Sequence, residues 1–132
     1  MATTHRSTYL SLQHFRASAY VRVIRNEAPF KSVVEVCTAI GGCRPALKGV
    51  DKAHYGILFD WRLGPISTDP DLHKALVEQI DALAEPFARK AILLGTTVGA
   101  MQASRVGRML GNQEMVIFFD DEAAAVEHVT RS

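Results

Sequence analysis

Tyr55-Gly56-Ile57-Leu58-Phe59-Asp60-Trp61 is a compact apolar run closed by a charged residue and the only tryptophan. A stretch this short and this apolar reads as a strand covered on both faces, the pattern of a parallel sheet layered by helices. The same kind of run recurs downstream at Lys90-Ala91-Ile92-Leu93-Leu94-Gly95 and again at Met115-Val116-Ile117-Phe118-Phe119. Between these runs the apolar period changes to that of a helix. Asp69 caps one helix, Pro70 takes its first position and Asp71 adds favourable negative charge, ahead of a stripe of Leu72, Leu76, Ile80, Leu83 and Phe87. Thr96 or Thr97 caps the next, which carries Val98, Met101, Val106, Met109 and Leu110 and stops at Gly111-Asn112. Asp120 or Asp121 opens a closing helix with Ala124, Ala125 and Val129.

Upstream of the central run, Phe30, Val33, Val34, Cys37 and Ile40 repeat at three and four. They predict a helix with Pro29 in its first turn and Gly41-Gly42 at its end. Two alternating segments, residues 8–14 and 19–25, precede it as half-exposed strands joined by Phe15-Arg16-Ala17-Ser18. The order is therefore ββαβαβαβα. It predicts an α/β fold with a five-stranded, mostly parallel sheet, four helices and right-handed crossovers. Residues 8–132 form a single domain, preceded by a disordered or extended segment over 1–7.

A chain of 132 residues, 48% hydrophobic and 22% charged, has globular composition and room for one core. Fifteen basic and fourteen acidic side chains leave a net charge of +1, which argues against a nucleic-acid binder. Apolar stretches such as Ala91-Ile92-Leu93-Leu94 are far shorter than the roughly twenty residues of a transmembrane segment. The polar start, residues 1–6, lacks a signal-peptide run, so a cytoplasmic location with reduced thiols is expected. Cys37 reads as a small core residue, whereas Cys43, past the Gly-Gly, could be exposed. Charge is polarised along the chain. Residues 1–26 hold Arg6, Arg16, Arg22 and Arg25 and no acid, while Glu114, Asp120, Asp121, Glu122 and Glu127 crowd the end. Such polarity could steer a partner or reflect solvated faces and helix-dipole complementarity.

Four stretches carry a family resemblance: Ile57-Leu58-Phe59-Asp60, Lys90 through Thr96, Gln102-Ala103-Ser104-Arg105, and Val116 through Ala125. Together with the element order, they resemble the STAS domain, the fold of bacterial anti-sigma-factor antagonists and sulfate-transporter tails. Within it, the chain looks like the stand-alone STAS-like subgroup often grouped by fold with CRAL-TRIO lipid-transfer domains. The resemblance spans about residues 8–130 and implies a bacterial signalling role through protein–protein interaction. In the antagonists, a serine opening the helix after the central strand is phosphorylated by a partner kinase, and the phosphate disrupts the interaction surface. Ser67 and Thr68 are the matching positions. They lie in Gly64-Pro65-Ile66-Ser67-Thr68-Asp69-Pro70, which stands where the family has an Asp-Ser-Ser-Gly signature. Both also suit polar loop positions at a helix start.

Asp60, Trp61 and Arg62 follow the central strand, at the carboxyl edge where open α/β sheets bind ligands. Asp60 is a candidate ligand contact or general acid, or a strand-end carboxylate bonded to loop amides or Arg62. Trp61 could anchor a partner or pack over the sheet edge. Gly95-Thr96-Thr97-Val98-Gly99 leads from a strand into a helix without a Walker loop or a dinucleotide fingerprint. Asp60, Arg62, Thr96, Thr97 and Arg105 make up the candidate ligand-binding set, suited to a small anion such as a phosphate or carboxylate. The five histidines show no metal spacing, and neither a Gly-x-Ser-x-Gly elbow nor a His-x-x-x-His pair occurs. No catalytic residue, metal or cofactor is therefore nominated. The expected role is a non-catalytic regulatory or protein-interaction domain. A small-ligand or lipid-binding module is the alternative, and a homodimer through the Val98, Met101 and Val106 strip a further option.

Overall fold

A computed structural model describes residues 2–65, 69–95 and 117–131. Strands β1 (Ala2–Arg6), β2 (Leu10–Phe15) and β3 (Tyr20–Arg25) come first, followed by helix α1 (Val33–Gly41) and a 3-10 turn at Pro45–Leu47. Then come β4 (Gly56–Asp60), α2 (Pro70–Ala84), β5 (Arg89–Leu93), β6 (Ile117–Phe119) and α3 (Glu122–Thr130). All six strands join one sheet whose spatial order equals their order in the chain. β1, β2 and β3 pair antiparallel, whereas β3 through β6 pair parallel.

The α/β class agrees with the sequence, but the five-stranded, mostly parallel sheet does not. The sheet is mixed and has a sixth strand. Residues 2–6 form that edge strand, with Ala2 opposite His14 and Arg6 opposite Ser11. The side chains of Ala-Thr-Thr-His-Arg bury almost nothing, so no apolar alternation announced it; backbone pairing to β2 holds it in place. Three α-helices lie among the described residues instead of four, and the helix expected from Thr96 to Leu110 falls outside them. No described helix is long and apolar enough to cross a membrane.

Strand alternation divides the core in two. Leu10, Leu12, Val21, Val23, Ile57, Phe59 and Ile92 face α1 and α2, which pack against each other. Tyr20, Leu58, Ala91 and Leu93 point the other way, against Ala125 and Val129 of α3. β4 is buried along its whole length, which is why its sequence is apolar without alternation. Asp60 is the exception in that strand, and the site is built around it.

Helix α2 starts as predicted, with Asp69 accepting the Asp71 amide and Pro70 in the first turn. α1 does not. It begins at Val33, because Ser32 accepts the Glu35 amide at 3.2 Å, while the Glu35 carboxylate accepts the Lys31 amide at 2.9 Å. This Ser-x-x-Glu arrangement resembles a capping box and outcompetes Pro29 as a start signal. The buried stripe is Val36, Ala39, Ile40 and Cys43, so Val33 and Val34 face outward. The thiols are accordingly reversed from expectation. Cys43 is buried and its thiol is pushed up to about 11 by burial, whereas Cys37 is only half-buried.

Helix α3 approaches β4 so closely that Gly56 admits no side chain. A Cβ there would lie 2.1 Å from the carbonyl oxygen of Val129. Arg89 ties the same corner, donating from Nε to the Val129 carbonyl at 2.9 Å and from Nη2 to the His54 carbonyl at 3.2 Å. Gly56→Ala must therefore push α3 off the sheet and should cost about 1–3 kcal/mol, read as a lowered urea midpoint. Gly41→Ala, with open space around it, should leave that midpoint unlowered.

Candidate functional site

The carboxyl ends of β3, β4 and β5 share one edge, with Ile24 opposite Asp60 and Asp60 opposite Leu93. β-Alternation from Leu58 turns Asp60 toward the α3 side, where Arg22 of β3 also points. Beyond the strand, the Trp61 amide donates to the Leu93 carbonyl at 2.9 Å and the Gly64 amide to the Trp61 carbonyl at 3.1 Å, turning the chain back. That turn folds Arg62 over Asp60. The loop leaving β5 passes so close that a Cβ on Gly95 would lie 3.2 Å from the Arg62 carbonyl oxygen, hence a glycine there.

Asp60 is 5% exposed, yet both its oxygens are engaged. Oδ1 accepts from Arg62 Nε at 2.9 Å and from the Arg62 amide at 3.3 Å, and Oδ2 accepts from Arg62 Nη2 at 2.7 Å. Arg22 Nη1 stands 3.6 Å from the same Oδ2. Glu122, the first residue of α3, closes the network. Its Oε2 lies 2.6 Å from Arg62 Nη2 and 3.7 Å from Arg22 Nη1. Two carboxylates and two guanidiniums thus join β3, β4, the following loop and α3. Burial pushes the Asp60 carboxyl up, but the Arg62 hydrogen bonds and the charges of Arg62 and Arg22 outweigh it, holding the group below its ordinary value. The Asp60 hydrogen bond in turn raises Arg62 against its partial desolvation. A carboxylate held ionised between two cations is a poor proton donor.

Of the nominated residues, Asp60 and Arg62 come together, in the strand-end pairing considered above. Trp61 is half-buried and meets Phe59 edge-on, with ring centroids 5.6 Å apart, so it packs on the core while keeping one side at the surface. Ser67, Thr68, Thr96, Thr97 and Arg105 lie outside the described residues. Sequence reasoning did not nominate Arg22 or Glu122. The signal was present: a basic start and an acidic end supply the two charges, and they meet inside one molecule.

A third cation occupies the same edge. Arg25 is 2% exposed and has no carboxylate within 4.0 Å among the described residues. Its Nη1 donates to the Tyr9 and Asn26 carbonyls, both at 3.0 Å, and its guanidinium lies 4.1 Å from the Phe30 ring centroid. Burial lowers it to about 10, against the favourable influence of Tyr9. Tyr9 also donates from its hydroxyl to Glu35 at 2.5 Å, linking β2's approach to the first turn of α1. Elsewhere, His54 and Asp51 form an exposed pair at 2.7 Å. No three His, Cys, Asp or Glu side chains among the described residues come together to hold a metal ion.

The network makes acid stability depend on Asp60. Its folded value lies below its unfolded one, so its contribution is complete above about pH 3.9 and is lost as the pH falls through the folded value. Asp60→Asn should cost on the order of 3 kcal/mol at pH 7, by leaving Arg22 and Arg62 short of a counter-charge. Denaturant melts from pH 7 to pH 2 should show the gap from the wild type closing below about pH 4. A gap independent of pH would mean that the carboxylate's charge is not what holds the network. No family model, no curated protein and no solved structure matches this chain.

Proposed function

We infer that this chain is a non-catalytic regulatory or protein-interaction domain of the STAS-like type. The observation that carries the reading is the placement of its exposed apolar side chains. Among the described residues, the exposed large hydrophobics are Val33, Val34 and Leu63, with Val34 73% and Leu63 58% exposed. Val33 and Val34 open the helix that follows β3, and Leu63 lies in the turn that follows β4. All three therefore sit at the carboxyl edge of the parallel strands. Half-buried Phe30 and Trp61 flank them. Buried Arg25 links the two from beneath, its guanidinium 4.1 Å from the Phe30 ring centroid and its Cγ 3.0 Å from where a Cβ on Gly64 would stand, beside Trp61. Solvent-facing valine and leucine beside aromatic rings suit burial against a partner, where apolar and aromatic anchors dominate affinity.

Two further points support the reading. The carboxylate best positioned for chemistry at this edge, Asp60, has both oxygens committed to Arg62 and lies beside Arg22. The four stretches that resemble the STAS domain also include β4 and the entry to α3, the elements that Asp60 and Glu122 join. The role then lies in what the edge contacts and not in turnover of a substrate.

With the full chain as bait, Val34→Asp and Leu63→Asp should each weaken binding of a captured protein at least tenfold while leaving the thermal midpoint unchanged. Retention of every partner by both variants would remove this edge as the interaction surface.

A further inference from the structure

Among the described residues, the α3 side of the sheet is only half covered. Helix α3 packs on β4, β5 and β6, and Tyr20 of β3 meets its flank. Thr3, Arg6, Ser11, Gln13, Phe15 and Ile24 of the first three strands point the same way. All six keep part of their surface exposed, whereas Leu10, Leu12, Val21 and Val23, on the opposite face of β2 and β3, are sealed. This side is therefore a ridge beside a hollow. Three strands about 4.8 Å apart make a strip about 14 Å wide, room for one α-helix about 10–12 Å across. Ridge and hollow also differ in charge. Residues 1–26 contain no acid, and Arg6 stands on the hollow. The ridge carries Asp120, Asp121, Glu122 and Glu127 against Arg131. Arg22 and Glu122 answer each other within the molecule, but Arg6 and Asp120 enter no ion pair among the described residues.

We propose that this face binds a second copy of the chain, with α3 of each protomer seated in the hollow of the other. A two-fold axis along the strands exchanges ridge and hollow, whereas one across them would stack helix on helix. An axis along the strands also keeps every residue at its height on the sheet. Register places Arg6, Ser11, Ile24 and Asp60 in one row. Glu122 stands at that row too, since it meets Arg62, which is hydrogen-bonded to Asp60. The acidic start of α3 thus arrives at the height of the partner's Arg6, and opposite charges face each other on both sides of the axis. From there α3 descends the whole height of β4, ending where Val129 meets Gly56. Each helix then covers Phe15 and Ile24 of the other copy. An interface that pairs one patch with itself closes at two copies. It leaves free the exposed valines of α1 and Leu63, so it is independent of the interaction surface inferred above.

Sedimentation equilibrium of the full chain, from micromolar to millimolar concentration, should show a monomer–dimer equilibrium. Arg6→Glu and Asp120→Arg each place like charges together and should each weaken the dimer by about tenfold or more. Combining them reverses both charges and should restore the wild-type dissociation constant, a recovery that misfolding would not give. Gln13→Glu puts an acid in the floor of the hollow and should also weaken the dimer, with an unchanged thermal midpoint. The proposal is overturned if the chain stays monomeric throughout that range, if any of these single variants dimerises as the wild type does, or if the combined variant fails to recover. Val34→Asp and Leu63→Asp should leave the equilibrium unchanged, so failure of the interaction surface and failure of the dimer are told apart.

Discussion

A buried carboxylate at the end of the central strand is the constraint on which the rest of this structure depends. Asp60 lies in a strand otherwise built of glycine, isoleucine, leucine and phenylalanine, and burying its charge would be prohibitive without compensation. Compensation comes from three directions. Arg62 folds back from the next turn, Arg22 reaches across from β3, and Glu122 balances the second cation from α3. The position of the 61–64 turn and the seating of α3 both follow from that requirement. A hydrophobic residue at position 60 could pack as well, but it would leave nothing to aim Arg62 or to hold the helix start in register.

The same edge solves a similar problem in a second way. Arg25 is as buried as Asp60, yet its charge is met by backbone carbonyls and aromatic faces instead of an acid. Carbonyl dipoles and ring quadrupoles are weaker partners than a carboxylate, and the burial that lowers the guanidinium's value is not offset by them. The result is mechanical. Arg25 fastens Tyr9, Asn26 and Phe30 to one another, and the Tyr9–Glu35 bond ties that group to the first turn of α1.

Much of the architecture was legible from residue order. The runs over 55–61 and 90–95 gave away covered strands because helices lie on both sides of β4 and β5, and Asp69-Pro70 marked α2 by its capping chemistry alone. What escaped has identifiable causes. β1 is held by backbone bonds that no side chain reports. Phasing α1 from Pro29, when the Ser32–Glu35 pair sets its start, turns Val33, Val34 and Cys37 inward, and the Gly-Gly before Cys43 suggests exposure where the chain keeps it buried. At the site, Asp60 and Arg62 are neighbours in the chain and could be paired on paper. Arg22 and Glu122 are a hundred residues apart. Only the sheet register and the return of α3 bring them together.

Strand order has a consequence for how the molecule is made. Because each strand lies beside the one synthesised before it, the sheet can grow outward from its first hairpin as the chain leaves the ribosome. No strand has to be inserted between two already paired. Among the described residues, Ala125 and Val129 of the final helix are what cover the Leu58, Ala91 and Leu93 face. That part of the core therefore forms only once residues 122–130 have been made.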